Sequence, residues 1–217
     1  VVLCTVFTTI AGFFTAKFKM HPFISTMATM LVIFGLVTYS TKGVSFGAID
    51  TTIPAMVIPR IGRFPTIILW AVAAVVVVWF IWNKTTFGKN MFAVGSNADA
   101  AKVSGVNVFW TTVMVHTLAG AMYGVTGFIE GARISSITQS AGLNYECDAI
   151  AACVIGGVSF VGGTGKISGI VLGVFVLRII FVALSMLGID PSMQYIIKGG
   201  IILAACSLDM RKYLAKK

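Results

Sequence analysis

The chain has 217 residues, 58% hydrophobic and only 11% charged, with a mean hydropathy of +0.97. Soluble domains carry about twice that charged fraction, so the composition excludes a soluble globular enzyme and indicates a polytopic membrane protein. The net charge of +9 does not call for nucleic acid, because Lys and Arg near membrane ends reflect orientation.

The sequence opens VVLC, without an initiator Met or a basic leader, and reads as the C-terminal portion of a longer chain. Val1 to Ala16 is a short apolar run ending at Lys17 and Lys19. Phe23 to Tyr39 is a span entered through His21-Pro22, where proline starts a helix. Lys42 to Pro65 is a loop rich in glycine and proline. Thr66 to Trp82 is a span with Trp70, Trp79 and Trp82 near its ends, as suits membrane interfaces. Val108 to Ile129, Ile167 to Leu187 and Pro191 to Leu208 are further spans, and the tail is basic. The four cysteines, Cys4, Cys147, Cys153 and Cys206, have no metal or redox spacing and read as small packing residues.

Orientation follows from charge. With the first loop inside, Lys17, Lys19, Lys84, Lys89, Lys102, Lys166, Arg211, Lys212, Lys216 and Lys217 face the cytoplasm. Lys42, Arg60, Arg63 and Arg133 face outward, as do Asp50, Glu130, Glu146, Asp148 and Asp190. Ten inward positive residues against four outward satisfy the positive-inside rule. This orientation places Gly88 to Val108, GKNMFAVGSNADAAKVSGVNV, in the cytoplasm. Within it Asn97 can cap a helix and Asp99 suits its first turn. Ala98, Ala100, Ala101 and Lys102 favour helix, and Gly105, after Ser104, is the expected stop. A helix of about two turns is too short to stand alone and must dock onto something.

Glu146 to Gly165, ECDAIAACVIGGVSFVGGTG, is the second informative stretch. Ala149 to Val161 would be about 20 Å long as helix, against a hydrocarbon core of about 30 Å. Gly156, Gly157, Gly162 and Gly163 invite a break, which is tolerated at membrane depth only beside protein or a water-lined cavity. A broken or re-entrant helix beside a path, with Ser159 in the break, stands against plain small-residue packing. GGTGK is not a phosphate loop. The Walker pattern needs an earlier glycine and a following Ser or Thr, where Phe160 and Ile167 stand.

Glycines at spacing four, Gly120 with Gly124 and Gly165 with Gly169 and Gly173, read as ridges for close helix approach. His116, mid-span with Gly120 and Tyr123 on its face, reads first as a packing histidine, with a place on a path as the alternative. Arg178 lies deep in its span and needs a partner or water, and Glu146 and Asp148 are the candidates. Lys198 can reach the interface with its long stem. A proton- or ion-coupled carrier would need intramembrane acids, and the assigned spans contain none.

Gly88 to Val108, the pattern AIAA-x-x-IGG-x-S-x-x-GG-x-G from Ala149 to Gly165, and QYIIKGGIILAACSLD near the tail resemble the sugar-type ABC importer permeases. The galactose/galactoside branch is the best match, and ribose and branched-chain amino-acid permeases share much of the pattern. The resemblance covers nearly the whole chain and is weakest over Lys42 to Arg63. It implies an all-α polytopic membrane bundle forming one permease domain over residues 1–217, in the cell (inner) membrane. Residues 88–107 would be a cytoplasmic coupling loop. The implied function is import of a monosaccharide, without catalysis in this chain. No cofactor is expected in it, since ATP and magnesium belong to a partner ATPase. The other implied partners are a second permease copy, an external sugar-binding protein and membrane lipid. The coupling residues would be Asn97 to Lys102, Ser104 and Gly105, with small alanines such as Ala101 letting the helix sit in an ATPase groove. Gly156, Gly157, Ser159, Gly162, Gly163, His116 and Arg178 would be candidates for the translocation path.

Overall fold

The computed structural model describes residues 1–45, 54, 57–61, 64–138 and 141–214. Asp50, Arg63, Lys216 and Lys217, which enter the charge count, lie outside the described residues. The elements in order are α1 (Val2–Phe18), α2 (Pro22–Thr41), β1 (Arg60–Ile61), β2 (Phe64–Pro65), α3 (Ile67–Lys84), α4 (Thr86–Ser96), α5 (Ala98–Val103), α6 (Val108–Ile134), α7 (Tyr145–Ile155), α8 (Ile167–Met186) and α9 (Pro191–Leu214). Among the described residues the regular elements are helices apart from one antiparallel pair, in which Arg60 faces Pro65 and Ile61 faces Phe64. Among the described residues four helices, α2, α3, α6 and α8, are long and apolar enough to cross a membrane, and the chain is a multi-pass membrane protein. At 17 residues α1 falls just short of that length, in keeping with the short apolar run read in the sequence. The 24-residue α9 carries Gln194, Lys198 and the polar stretch from Asp209, and is not among the four.

Two compact units make up the chain. The first comprises Val1–Met91 and Ala101–Ala141 and centres on α1 packed along α6. The contact is made by small and hydroxyl residues. A Cβ built on Gly12 would sit 2.7 Å from His116 Cβ, and one on Gly120 would sit 2.9 Å from both Cys4 O and Thr5 Cα. Thr9 and Thr117 share a hydrogen bond of 2.9 Å across the interface. Ser25 of α2 donates to Ala11 O of α1 at 3.1 Å. Lipid is as apolar as leucine, so close backbone approach and hydrogen bonds, rather than burial from water, hold such helices together. α6 runs past the expected end at Ile129 to Ile134, because no breaker intervenes. Glu130 and Arg133 lie one turn apart and pair at 2.6 Å, and the helix stops at Ser135 with φ 60°.

The second unit comprises Phe92–Ala100 and Gly142–Lys217. Here α7 packs on both α8 and α9 around Ala151, Ala152 and Leu177, with Phe181, Ile201 and Ile202 against them. Gly169 and Gly173 are the close-approach points of α8. A Cβ on Gly173 would sit 2.8 Å from Gly156 N, and one on Gly156 would sit 2.7 Å from Gly169 C. Gly165 does not continue this ridge, contrary to the spacing-four reading. Lys166 is extended at φ −132° and ψ 136°, so α8 begins only at Ile167 and Gly165 packs on Val158 instead.

Candidate functional site

The coupling stretch is helical in two pieces. α3 ends at Thr85, which is extended at φ −111° and accepts the Gly88 N–H on its hydroxyl at 3.2 Å. α4 then starts at once, and its fit depends on Gly88, whose Cβ would lie 2.6 Å from Ile81 O. The sequence reading missed α4, although Thr85 three residues before Gly88 is a capping signal. α5 follows as expected. Asn97 Oδ1 accepts the N–H groups of Asp99 and Ala100, both at 3.0 Å, and Gly105 closes the turn with φ +85°. The six residues of α5 span only about 9 Å. Ala98, Asp99, Ala100, Lys102 and Ser104 are exposed, and Val103 is 90% exposed. Ala101 is the exception. It is buried within this chain, which corrects the reading of its methyl as part of a partner-facing surface.

The glycine stretch is broken as the sequence indicated. At 11 residues, α7 is about 16 Å long, well short of a bilayer core. It begins four residues before Ala149 and stops at Ile155. Gly156 and Gly157 donate back to Ala152 O and Val154 O, both at 2.9 Å, and Gly157 turns with φ +81°. The loop beyond then closes on itself. Ser159 N–H donates to Thr164 O at 3.2 Å, and the Ser159 hydroxyl accepts from Val161 N–H at 3.2 Å, so Ser159 is engaged in the turn. Gly156 and Gly157 also border an open cleft of about 370 Å³ with Thr164, Lys166 and Ser168.

Gly162 and Gly163 lie on the end of α4. A Cβ on Gly162 would come 2.6 Å from Gly95 O, one on Gly163 2.7 Å from Ser96 Cα, and one on Gly95 2.9 Å from Gly163 N. Gly162 and Gly163 both have positive φ, 99° and 73°, so glycine meets two requirements there, conformation and space. The two sequence stretches singled out above therefore touch, backbone to backbone, immediately before the Asn97 cap. Gly95 is a contact residue the sequence reading missed, since a single glycine inside a helical run carries no signal of what it faces.

His116 is a packing residue. Its Nδ1 lies 2.9 Å from Thr112 O, and its ring root fills the space left by Gly12. Lys198 is drawn onto a carboxylate of its own unit. Its side chain is 12% exposed and its Nζ lies 2.5 Å from Asp148 Oδ1, over the rings of Phe181 at 5.4 Å and Tyr195 at 5.2 Å. Asp148 is therefore committed to Lys198 and does not serve Arg178. Arg178 is exposed and borders an open surface hollow with Phe181, Val182, Ser185, Met186 and Gln194.

The family of permease components of branched-chain amino acid transport systems matches residues 1–206. The chain belongs to that family. Over its full length it is 45% identical to a galactose/methyl galactoside import permease protein of Treponema pallidum (strain Nichols), covering 42% of that protein. It is 44% identical to the protein of the same description in Escherichia coli (strain K12), over 96% of this chain and 64% of the relative. An L-arabinose transport system permease protein of Escherichia coli (strain K12) is 37% identical over 95% of this chain and 63% of its own length. The chain thus spans about two fifths to two thirds of the length of these relatives. No solved structure matches it.

Proposed function

We propose that the chain is the membrane subunit, or the C-terminal part of one, of an ATP-driven importer of a galactose-type monosaccharide. A cytoplasmic ATPase supplies the energy and holds ATP and magnesium. An external binding protein delivers the sugar, and a second permease copy in the lipid bilayer completes the path. Residues 88–107 form the coupling loop, with the exposed Asn97–Gly105 segment as the part the ATPase grips. The observation that carries this reading is the backbone contact of Gly162 and Gly163 with Gly95 and Ser96. A push on α5 passes straight into the turn between α7 and α8. The sugar assignment draws on the relatives, which include galactoside, arabinose, ribose and xylose permeases. The family description instead names branched-chain amino acids, so leucine is the alternative cargo.

The test is reconstitution of the full-length permease with its ATPase and binding protein in vesicles, with galactose, ribose and leucine as solutes. ATP-dependent galactose uptake is expected. Gly163→Ala should keep the ATPase bound but lower uptake about tenfold, since a misfit of about 1–3 kcal/mol falls on the joint. Uptake of leucine without sugar would refute the cargo, and uptake unaffected by Gly163→Ala would refute the joint.

A further inference from the structure

Within the first unit, the C-terminal end of α1 and the first turn of α6 meet in a cluster of rings. Phe13 packs edge-on against Phe14 at 6.1 Å and against Phe109 at 5.8 Å. Phe109 packs edge-on against Trp110 at 5.5 Å, and Phe14 stacks on Phe18 at 5.7 Å. These rings are not core: Phe13, Phe14, Phe18 and Trp110 are all exposed. Lys17 lays its ammonium over two of them, 5.3 Å from the centre of Phe13 and 6.0 Å from that of Phe18. Lys19, also exposed, ends the helix in the left-handed conformation. Ring faces attract a cation but do not neutralise it, and each ammonium has three donors to satisfy.

Among the described residues no carboxylate lies within ion-pair distance of Lys17 or Lys19, the two ion pairs being Glu130 with Arg133 and Asp148 with Lys198. Glu130 stands toward the opposite end of α6, about 30 Å along it from Phe109. Asp99, Glu146, Asp148, Asp190 and Asp209 belong to the second unit, and Asp50 lies outside the described residues. The charge count places this end of the unit in the cytoplasm, where the bilayer leaflet carries anionic lipid. The rings themselves argue against another helix as the cover. Helices of this unit approach through Gly12, Gly120 and Gly124, because small residues let backbones meet. A patch of large exposed rings offers no such seam, whereas an acyl chain moulds to it. Aromatic rings beside lysines are also the composition of the headgroup level of a membrane.

We propose that this end of the first unit seats an anionic phospholipid, its phosphate drawn to Lys17 and Lys19 and an acyl chain lying on the exposed rings of Phe14, Phe18 and Trp110. The phosphodiester supplies the negative charge and the acceptors that the two ammonium groups lack, and the chain covers the rings, which a phosphate free in solution would leave bare. The site lies outside the coupling segment and stands whichever solute the permease carries.

The experiment places the full-length permease in phosphatidylcholine vesicles with a trace of phosphatidylglycerol that carries a photoreactive acyl chain. After illumination the labelled residues are mapped by mass spectrometry. Labelling is expected at residues 13–18 and 109–110, and unlabelled phosphatidylglycerol should compete it away where the same amount of added phosphatidylcholine does not. Lys17→Gln combined with Lys19→Gln should lower labelling there about thirtyfold, at about 1 kcal/mol for each lysine, and leave labelling of the exposed α3 unchanged. Lys17→Arg with Lys19→Arg should retain it. Labelling unaffected by the paired glutamine changes overturns the site. Equal labelling by photoreactive phosphatidylglycerol and phosphatidylcholine overturns it in favour of bulk lipid. Absence of labelling by either probe means that another part of the full-length protein covers the rings, and overturns it as well. Loss of labelling in millimolar inorganic phosphate would assign the lysines to a free anion instead of a lipid. If the glutamine variant fails to assemble, the competition between the two lipids on the wild type decides alone.

Discussion

The two units use the same packing device for different ends. In the first, α1 and α6 meet through Gly12, Gly120 and Gly124, with one threonine pair across the seam. In the second, α7 and α8 meet through Gly156, Gly169 and Gly173, but α7, α8 and α9 also carry Asp148, Arg178 and Lys198 respectively. Charges within membrane helices are costly and mark function, whereas glycine contacts alone need no function beyond adhesion. The difference separates a unit joined by glycines and hydroxyls from one that also holds charges, and it bears on α3. That helix has no buried residue; its valines have neither glycine seam nor polar partner to draw another helix in.

The largest effect should come from filling the seam of the first unit. Gly120→Leu would drive a branched side chain into the Thr8 hydroxyl and the α1 backbone. Overpacking costs about 1–3 kcal/mol and occasionally more, and backbone cannot swing aside, so about 3 kcal/mol is expected. Val76→Leu on exposed α3 should stay within about 0.5 kcal/mol. Thermal unfolding of the full-length permease in detergent compares the two. Equal losses would mean that α3 is as tightly packed as α6 and would remove the contrast.

Much of this was legible in the sequence, and the exceptions have physical causes. The spans were readable from apolar length, the α5 cap from Asn97, its stop from Gly105 and the broken helix from Gly156-Gly157, because each is a local signal. Lys198 and Asp148 lie 50 positions apart, and nothing local tells a lysine stem whether it will reach an interface or a carboxylate. Ala101 likewise looks like its neighbours until the burial of one helix face is known. α4 was hidden because Gly88 and Gly95 lower helix propensity, yet both are needed where other backbone passes within 3 Å.

An intermediate effect tests the second unit. Lys198→Met keeps the apolar stem but leaves Asp148 without its counter-charge. Breaking a buried pair costs about 3–5 kcal/mol. The Asp148 side chain is 39% exposed, so part of that charge is relieved by water and about 2 kcal/mol is expected. Adding Asp148→Asn should recover more than half of the loss, the sign of direct coupling in a double-mutant cycle. Losses that simply add in the double variant would show a solvated pair, and the second unit would then resemble the first.

The smallest effect distinguishes two caps of the same residue type. Asn97 and Asn107 each accept backbone N–H groups at a helix start, Asn97 from Asp99 and Ala100 and Asn107 from Trp110. Either one replaced by alanine forfeits about 1 kcal/mol. The consequences should differ because the helices differ. α6 has 27 residues and a glycine seam, so Asn107→Ala should fray one turn and leave the rest in place. α5 has six residues and no second turn to spare, so Asn97→Ala should open the whole of it. Amide hydrogen exchange in the full-length permease should then show residues 98–103 exchanging about fivefold faster, the equivalent of about 1 kcal/mol. Residues 111–134 should be unchanged in either variant. Asn97→Asp, which keeps the acceptor and adds charge favourable to the helix dipole, should restore protection. Unchanged exchange across α5 in Asn97→Ala would show that Ala101 burial and the Gly95–Gly163 contact hold the segment without its cap.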